Sequence, residues 1–63
     1  MPWEQYQVWT ESQDGYQELV DTTKSLKEAR AIAQGSFGDD IVIVQIYLEA
    51  DDGDPALVEE LTK

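Results

Sequence analysis

The sequence contains no cysteine and no histidine. Without cysteine, neither a disulfide nor a thiolate-bound metal can reinforce the fold, so packing and hydrogen bonds must carry it. Without histidine, the commonest general base and the commonest transition-metal ligand are both missing. Bases of any kind are scarce: four Lys and Arg face 14 Asp and Glu, for a net charge of −10. Lys24, Lys27 and Arg30 lie close together, Lys63 is the one other base, and every acid except Glu28 lies outside residues 24–30. Three bases against that background make a poor nucleic-acid site. Their expected role is local pairing, such as Lys24 with Asp21, each pair worth less than about 1 kcal/mol. No apolar run approaches the roughly 20 residues that span a bilayer. The start, Met1-Pro2-Trp3-Glu4, lacks the basic and apolar regions of a secretion signal. These absences predict a cytoplasmic chain with no membrane partner.

Sixty-three residues suit one small acidic α+β domain over 1–63, with no room for a second core or an enclosed cavity. Residues 5–11 alternate and are rich in aromatic and β-branched types, which predicts a strand. Ser12-Gln13-Asp14-Gly15 suits a type I turn in which Gly15 takes a positive φ. Tyr16 to Thr22 then returns as a second strand. A glycine-bulge turn sets Val8 opposite Val20 and Trp9 opposite Leu19. A tight two-residue loop would set Val8 opposite Asp21, so the first register is preferred for its apolar partners. Ser25-Leu26-Lys27-Glu28 reads as a capping box, opening a helix that runs through Gln34 and stops at Gly35. Leu26, Ala29 and Ala33 share one face of it, with Ile32 beside them. Ser36 to Asp40 is a loop from which Phe37 can plug an edge of the core.

Ile41-Val42-Ile43-Val44-Gln45-Ile46-Tyr47-Leu48 is apolar on both faces, as a central strand should be. After a turn at residues 51–55, Ala56 to Leu61 reads as a fourth strand. A helix with Asp54 as N-cap and Pro55 at its first position is the alternative, disfavoured by Glu59 and Glu60 near its end. The order is ββαββ. A right-handed crossover through the helix places strand three beside strand one, giving a four-stranded antiparallel sheet of order 2-1-3-4. No internal repeat stands out.

One short helix covers one side of such a sheet. Val42, Val44, Ile46 and Leu48 are expected to face it with Val8 and Val20. Ile41, Ile43 and Tyr47 join Trp9 and Leu19 on the open side, a patch of a few hundred Å² that monomers seldom expose. Trp9, Leu19, Ile43 and Tyr47 are therefore candidate partner-binding residues, unless Trp3 and the N-terminal segment fold over them. The sheet ends are acidic: Glu11, Asp14, Asp39 and Asp40 at one, and Glu4, Asp21, Glu49, Asp51, Asp52 and Asp54 at the other. Carboxylates held on a compact rigid body can imitate a phosphate backbone.

Catalytic constellations are not found. Asp51, Asp52 and Asp54 surround Gly53, but the spacing of a calcium loop is not met. Asp39-Asp40 lacks a second half, and Ser12, Ser25 and Ser36 have no base to activate them. Gly35-Ser36-Phe37-Gly38 lacks the lysine of a phosphate loop. No catalytic, metal or cofactor site is assigned. The expected function is a non-enzymatic binding module, an inhibitor or adaptor occupying a basic, nucleic-acid-binding surface of another protein. Glu11, Asp14, Asp39, Asp40, Asp51, Asp52 and Asp54 would supply the contacts, without direct nucleic-acid binding. The alternative is a homodimer formed through the open sheet face. In either case self-repulsion should limit stability. Thermal melts of the Asp51→Asn, Asp52→Asn double variant should show a gain at about 0.01 M salt that vanishes near 1 M, where charges are screened within about 3 Å.

Overall fold

In the computed structural model, which describes residues 3–51 and 53–63, the chain folds as ββαββ. The elements are β1 (Glu4–Ser12), β2 (Gln17–Thr23), α1 (Leu26–Gln34), β3 (Ile41–Ala50) and β4 (Ala56–Thr62). They form one antiparallel sheet of order β2-β1-β3-β4, as the crossover argument predicts. Residues 56–62 are a strand, not a helix. Pairing with β3 supplies backbone partners that a helix of about two turns mostly lacks, and it turns Leu61 toward the core beside Val44.

The core is small because the helix sits close to the sheet. Val8, Val44 and Ile46 from the two central strands are fully buried against Ala29 and Ala33 of α1. Tyr6, Leu26, Ile32, Phe37, Ile41 and Leu61 pack around them. At 4341 Å² the accessible surface slightly exceeds the roughly 4,100 Å² expected of a compact 7.1 kDa chain. The excess follows from a two-layer body measuring 41 × 20 × 15 Å, one side of whose sheet carries no other described element.

The helix starts as the capping pattern predicts, with one substitution of parts. The Ser25 hydroxyl accepts from the Glu28 amide at 3.4 Å. The Glu28 carboxylate does not reach back to the Ser25 amide. It accepts from the Thr23 hydroxyl at 2.7 Å, and that hydroxyl accepts from the Ser25 N–H at 3.4 Å. At the far end Gly35 keeps a negative φ. It is the C-cap as expected, and the Ser36 hydroxyl adds a bond by donating to the Ile32 carbonyl at 2.6 Å.

Three irregularities interrupt the ladders, and the first two correct the sequence-based reading. In the β1–β2 hairpin Trp9 does face Leu19, and Gly15 takes a φ of +90° in the turn. Val8, however, faces Asp21, because Val20 is an extra, bulged residue that stays 46% exposed. Asp21 thus lies level with Val8 and Ile46 in mid-sheet, and not at the acidic end. A second shift sets Ser12 opposite Ile41 after Glu11 faces Ile43, which makes Val42 the extra residue. Ile41 is thereby rotated from the open side into contact with the core. The third shift lies in β4. Ile46 faces Glu59 and Tyr47 faces Leu57, leaving Val58 as the extra residue.

The first and third bulges expose an internal repeat that sequence reading alone passes over. Residues 5–21 and 43–59 correspond at an offset of 38, with Gln7/Gln45, Glu11/Glu49, Asp14/Asp52, Gly15/Gly53, Leu19/Leu57 and Val20/Val58 identical. Val8/Ile46, Trp9/Tyr47 and Asp21/Glu59 are conservative pairs. The pairing registers match row by row. Trp9–Leu19 corresponds to Tyr47–Leu57, Val8–Asp21 to Ile46–Glu59, and Gln7–Thr22 to Gln45–Glu60. Because β1 and β3 are antiparallel neighbours, the two hairpins are related by a pseudo-twofold axis normal to the sheet between Val8 and Ile46. They differ at the turn. Pro55 stands where Gln17 pairs with Glu11, and with no N–H to give it ends the second ladder one row earlier, at Leu48–Ala56.

Removing atoms at the pseudo-axis should be costly. Ile46→Ala is expected to lose about 2–5 kcal/mol, much of the stability available to so small a domain. Leu57→Ala, at a half-exposed position, should lose less than about 1 kcal/mol, since little apolar area leaves water there. Urea midpoints of the two variants measure the contrast.

Candidate functional site

The open face is built by strand alternation. Gln5, Gln7, Trp9 and Glu11 of β1 point away from the helix, as do Ile43, Gln45, Tyr47 and Glu49 of β3. On the edge strands Leu19 flanks Trp9 and Leu57 flanks Tyr47. Trp9, Ile43 and Tyr47 are half-buried, whereas Leu19 is 44% and Leu57 51% exposed. The sheet-face residues singled out from the sequence thus share one surface. Ile43 lies toward its edge, and Leu57 and the glutamines were missed. The offset-38 match carries that missing signal, since it pairs Leu57 with Leu19 and Gln45 with Gln7.

At the pseudo-axis this face dips into a shallow concavity of about 210 Å³ lined by Gln7, Trp9, Gln17, Gln45 and Tyr47. Trp3, half exposed, does not line it. The two halves repeat one polar contact. The Trp9 indole N–H donates to Gln7 Oε1 at 2.9 Å, and the Tyr47 hydroxyl donates to Gln45 Oε1 at 3.4 Å, each two residues back on its own strand. Carboxylates frame the concavity. Glu11 accepts from Gln17 Nε2, Glu49 from Gln5 Nε2 and Glu60 from Gln45 Nε2, each at 2.9 Å. One such bond leaves each carboxylate most of its lone pairs for another donor.

Further acids gather at the two sheet ends. The Gln13 amide donates to the Asp40 carbonyl at 2.9 Å, which ties the first turn to the loop before β3 and gathers Glu11, Asp14, Asp39 and Asp40. Lys63 joins that end, donating from Nζ to the Gly38 carbonyl at 2.8 Å. At the other end the Asp51 amide donates to the Trp3 carbonyl at 3.2 Å, placing Asp51 near Glu4 and Glu49 with Asp54 in the following turn. Asp52 lies outside the described residues. Among the described residues, no group of three acidic side chains converges as metal ligands would. No helix there is long and apolar enough to cross a membrane.

The base-rich helix pairs with a strand instead of with its own neighbours. Arg30 meets Glu59 of β4 at 3.1 Å, the one ion pair among the described residues. The Lys24–Asp21 contact expected from sequence is not formed, and the Asp21 carboxylate accepts from the Thr22 amide at 2.8 Å.

Asp14 is set apart from the other acids. The Ser12 hydroxyl donates to its carboxylate, and the Tyr16 amide approaches it at 3.4 Å. These bonds hold its pKa below the ordinary aspartate value, the Ser12 hydroxyl first among the causes. A lowered folded-state pKa stabilises the fold above the unfolded value of about 3.9, and that contribution fades as pH falls through the lowered value. Carboxyl titration by NMR should find the Asp14 midpoint below the ordinary range, and Ser12→Ala should move it back up. The chain matches no protein-family model, no curated protein and no solved structure.

Proposed function

We propose that this chain is a non-enzymatic binding module, an inhibitor or adaptor whose acidic surface occupies a basic, nucleic-acid-binding surface of another protein. The observation that carries the reading is the placement of the charge. Carboxylates cluster at both ends of a body 41 Å long, close to the roughly 34–36 Å of one duplex turn. None of them belongs to the one ion pair among the described residues, which holds Glu59 in mid-sheet. A duplex presents about one negative charge per 1.7 Å of its axis. A rigid acidic body of similar span meets the same basic groove without ordering a flexible chain. The concavity on the open face adds to this reading. It is shallower than the roughly 300–1,000 Å³ pockets that hold small ligands, and it suits a contact surface more than a reaction chamber.

The test uses the immobilised chain and a cell extract, with and without competing duplex DNA. Retained proteins should be rich in nucleic-acid binders, leave as salt rises, and be displaced by the duplex. Replacing Asp39, Asp40, Asp51 and Asp54 by Asn should cut retention severalfold. Retention that survives both about 1 M salt and the competitor would reject the proposal.

A further inference from the structure

The repeat puts the same three-part stripe on the open face twice: Gln7-Val8-Trp9-Thr10-Glu11 and Gln45-Ile46-Tyr47-Leu48-Glu49. Alternation sends the carboxamide, the ring and the carboxylate of each stripe to one side. The amide oxygen anchors the ring's polar edge in both copies. Each ring is thus held in place, with a carboxylate about 6.6–6.8 Å further along the strand. Antiparallel pairing of β1 with β3 runs the stripes in opposite directions, so Glu11 and Glu49 lie on opposite sides of the central rings.

We infer that each stripe is a receptor for one arginine side chain, and that the open face binds an extended basic segment through two of them. The inference rests on the reading of this chain as a binder of basic partners, and it names the chemistry of that contact. A guanidinium stacks on an aromatic face and donates two parallel hydrogen bonds to a carboxylate, which is the pairing each stripe offers. Charge complementarity selects this occupant over a second copy. Two chains of net charge −10 would bring Glu11, Glu49 and Glu60 against their counterparts, whereas a cation is drawn to all three. Size agrees, since about 210 Å³ admits side chains more readily than a drug-sized molecule. Spacing specifies the segment further. One receptor centres on the row of Thr10 and the other on the row of Leu48, which faces Tyr6. Four residues of strand separate those rows, about 13 Å. An extended segment with arginines at positions i and i+4 spans the same distance.

The test is a titration of the whole chain with capped peptides, followed at the Trp9 indole N–H and the Gln7 and Gln45 side-chain amides by NMR. Two arginines separated by three serines should shift these signals, and should bind severalfold more tightly than two arginines separated by one serine. Glu11→Gln with Glu49→Gln should weaken binding about fivefold, if each partly exposed pair contributes about as much as a surface ion pair. Glu18→Gln with Asp21→Asn changes the net charge equally and should leave it within about twofold, because these exposed side chains stand in the rows of Thr10 and Val8, which turn to the helix side of the sheet. Trp9→Leu, which keeps an apolar side chain at the position, should also weaken binding. Equal loss in both carboxylate pairs, or indole and amide signals that do not move, would overturn the inference. So would sedimentation showing a dimer that Trp9→Leu converts to monomer, because a second copy would then cover the face. Capture of nucleic-acid-binding proteins that is unaffected by Glu11→Gln with Glu49→Gln would defeat the arginine receptors and leave the proposed function standing. Peptide binding without such capture would do the reverse.

Discussion

Everything in this fold depends on how closely α1 approaches the sheet. Ala29 and Ala33 present almost no side chain, so the backbone of the helix can settle onto Val8, Val44 and Ile46 until all five residues lose contact with water. A bulkier residue at either alanine would lift the helix and open the core on both sides, since overpacking in so small an interior has no neighbour that can yield. Chain economy follows from this. Nine residues of helix close a core under the two central strands, and the edge strands need contribute little more than Leu61. The Arg30–Glu59 pair fastens the helix to β4, but as an exposed contact it steers more than it stabilises.

The helix is also what breaks the symmetry of the sheet. Two hairpins with matched registers and matched bulges form a surface that looks nearly the same after a half-turn. The single helix packs on β1, β2 and β3 and touches β4 only lightly. One side of the sheet is therefore asymmetric and buried, while the other keeps the duplicated pattern of ring, carboxamide and carboxylate. Packing has consumed the repeat on one face and left it free on the other.

Fold class, strand order and the helix start were legible in the sequence because each rests on a local signal with one solution. The eight-residue apolar run at Ile41–Leu48 can only be central, Ser25 can only cap, and a right-handed crossover leaves one place for β3. What escaped were events that local patterning cannot register. A bulge leaves hydrophobicity unchanged, so the extra residues Val20, Val42 and Val58 looked like ordinary strand positions. Yet they decide whether Val8 meets a valine or Asp21, and whether Ile41 looks outward or inward. The site was half legible for a related reason. Trp9, Leu19, Ile43 and Tyr47 follow from alternation, whereas the matching roles of Gln7 and Gln45 emerge only once the offset of 38 aligns them. Asp14 gave no hint of its separate environment, which arises only when the turn brings the Ser12 hydroxyl and the Tyr16 amide onto one carboxylate.

The paired bulges at Val20 and Val58 bear on how such a chain lives at high concentration. Both outer strands of an open sheet carry unpaired amides and carbonyls, and a straight strand there is a template on which another sheet can grow. Each outer strand here is interrupted near its middle, where the extra residue sharpens the twist and breaks the even spacing of those groups. An incoming strand would find matching partners for only two or three residues before losing step. The interruption guards both borders because both hairpins carry it at the same register. With like charge repelling neighbouring molecules at distance and kinked borders refusing them at contact, the sheet resists edge-to-edge polymerisation with no described helix or loop over either edge.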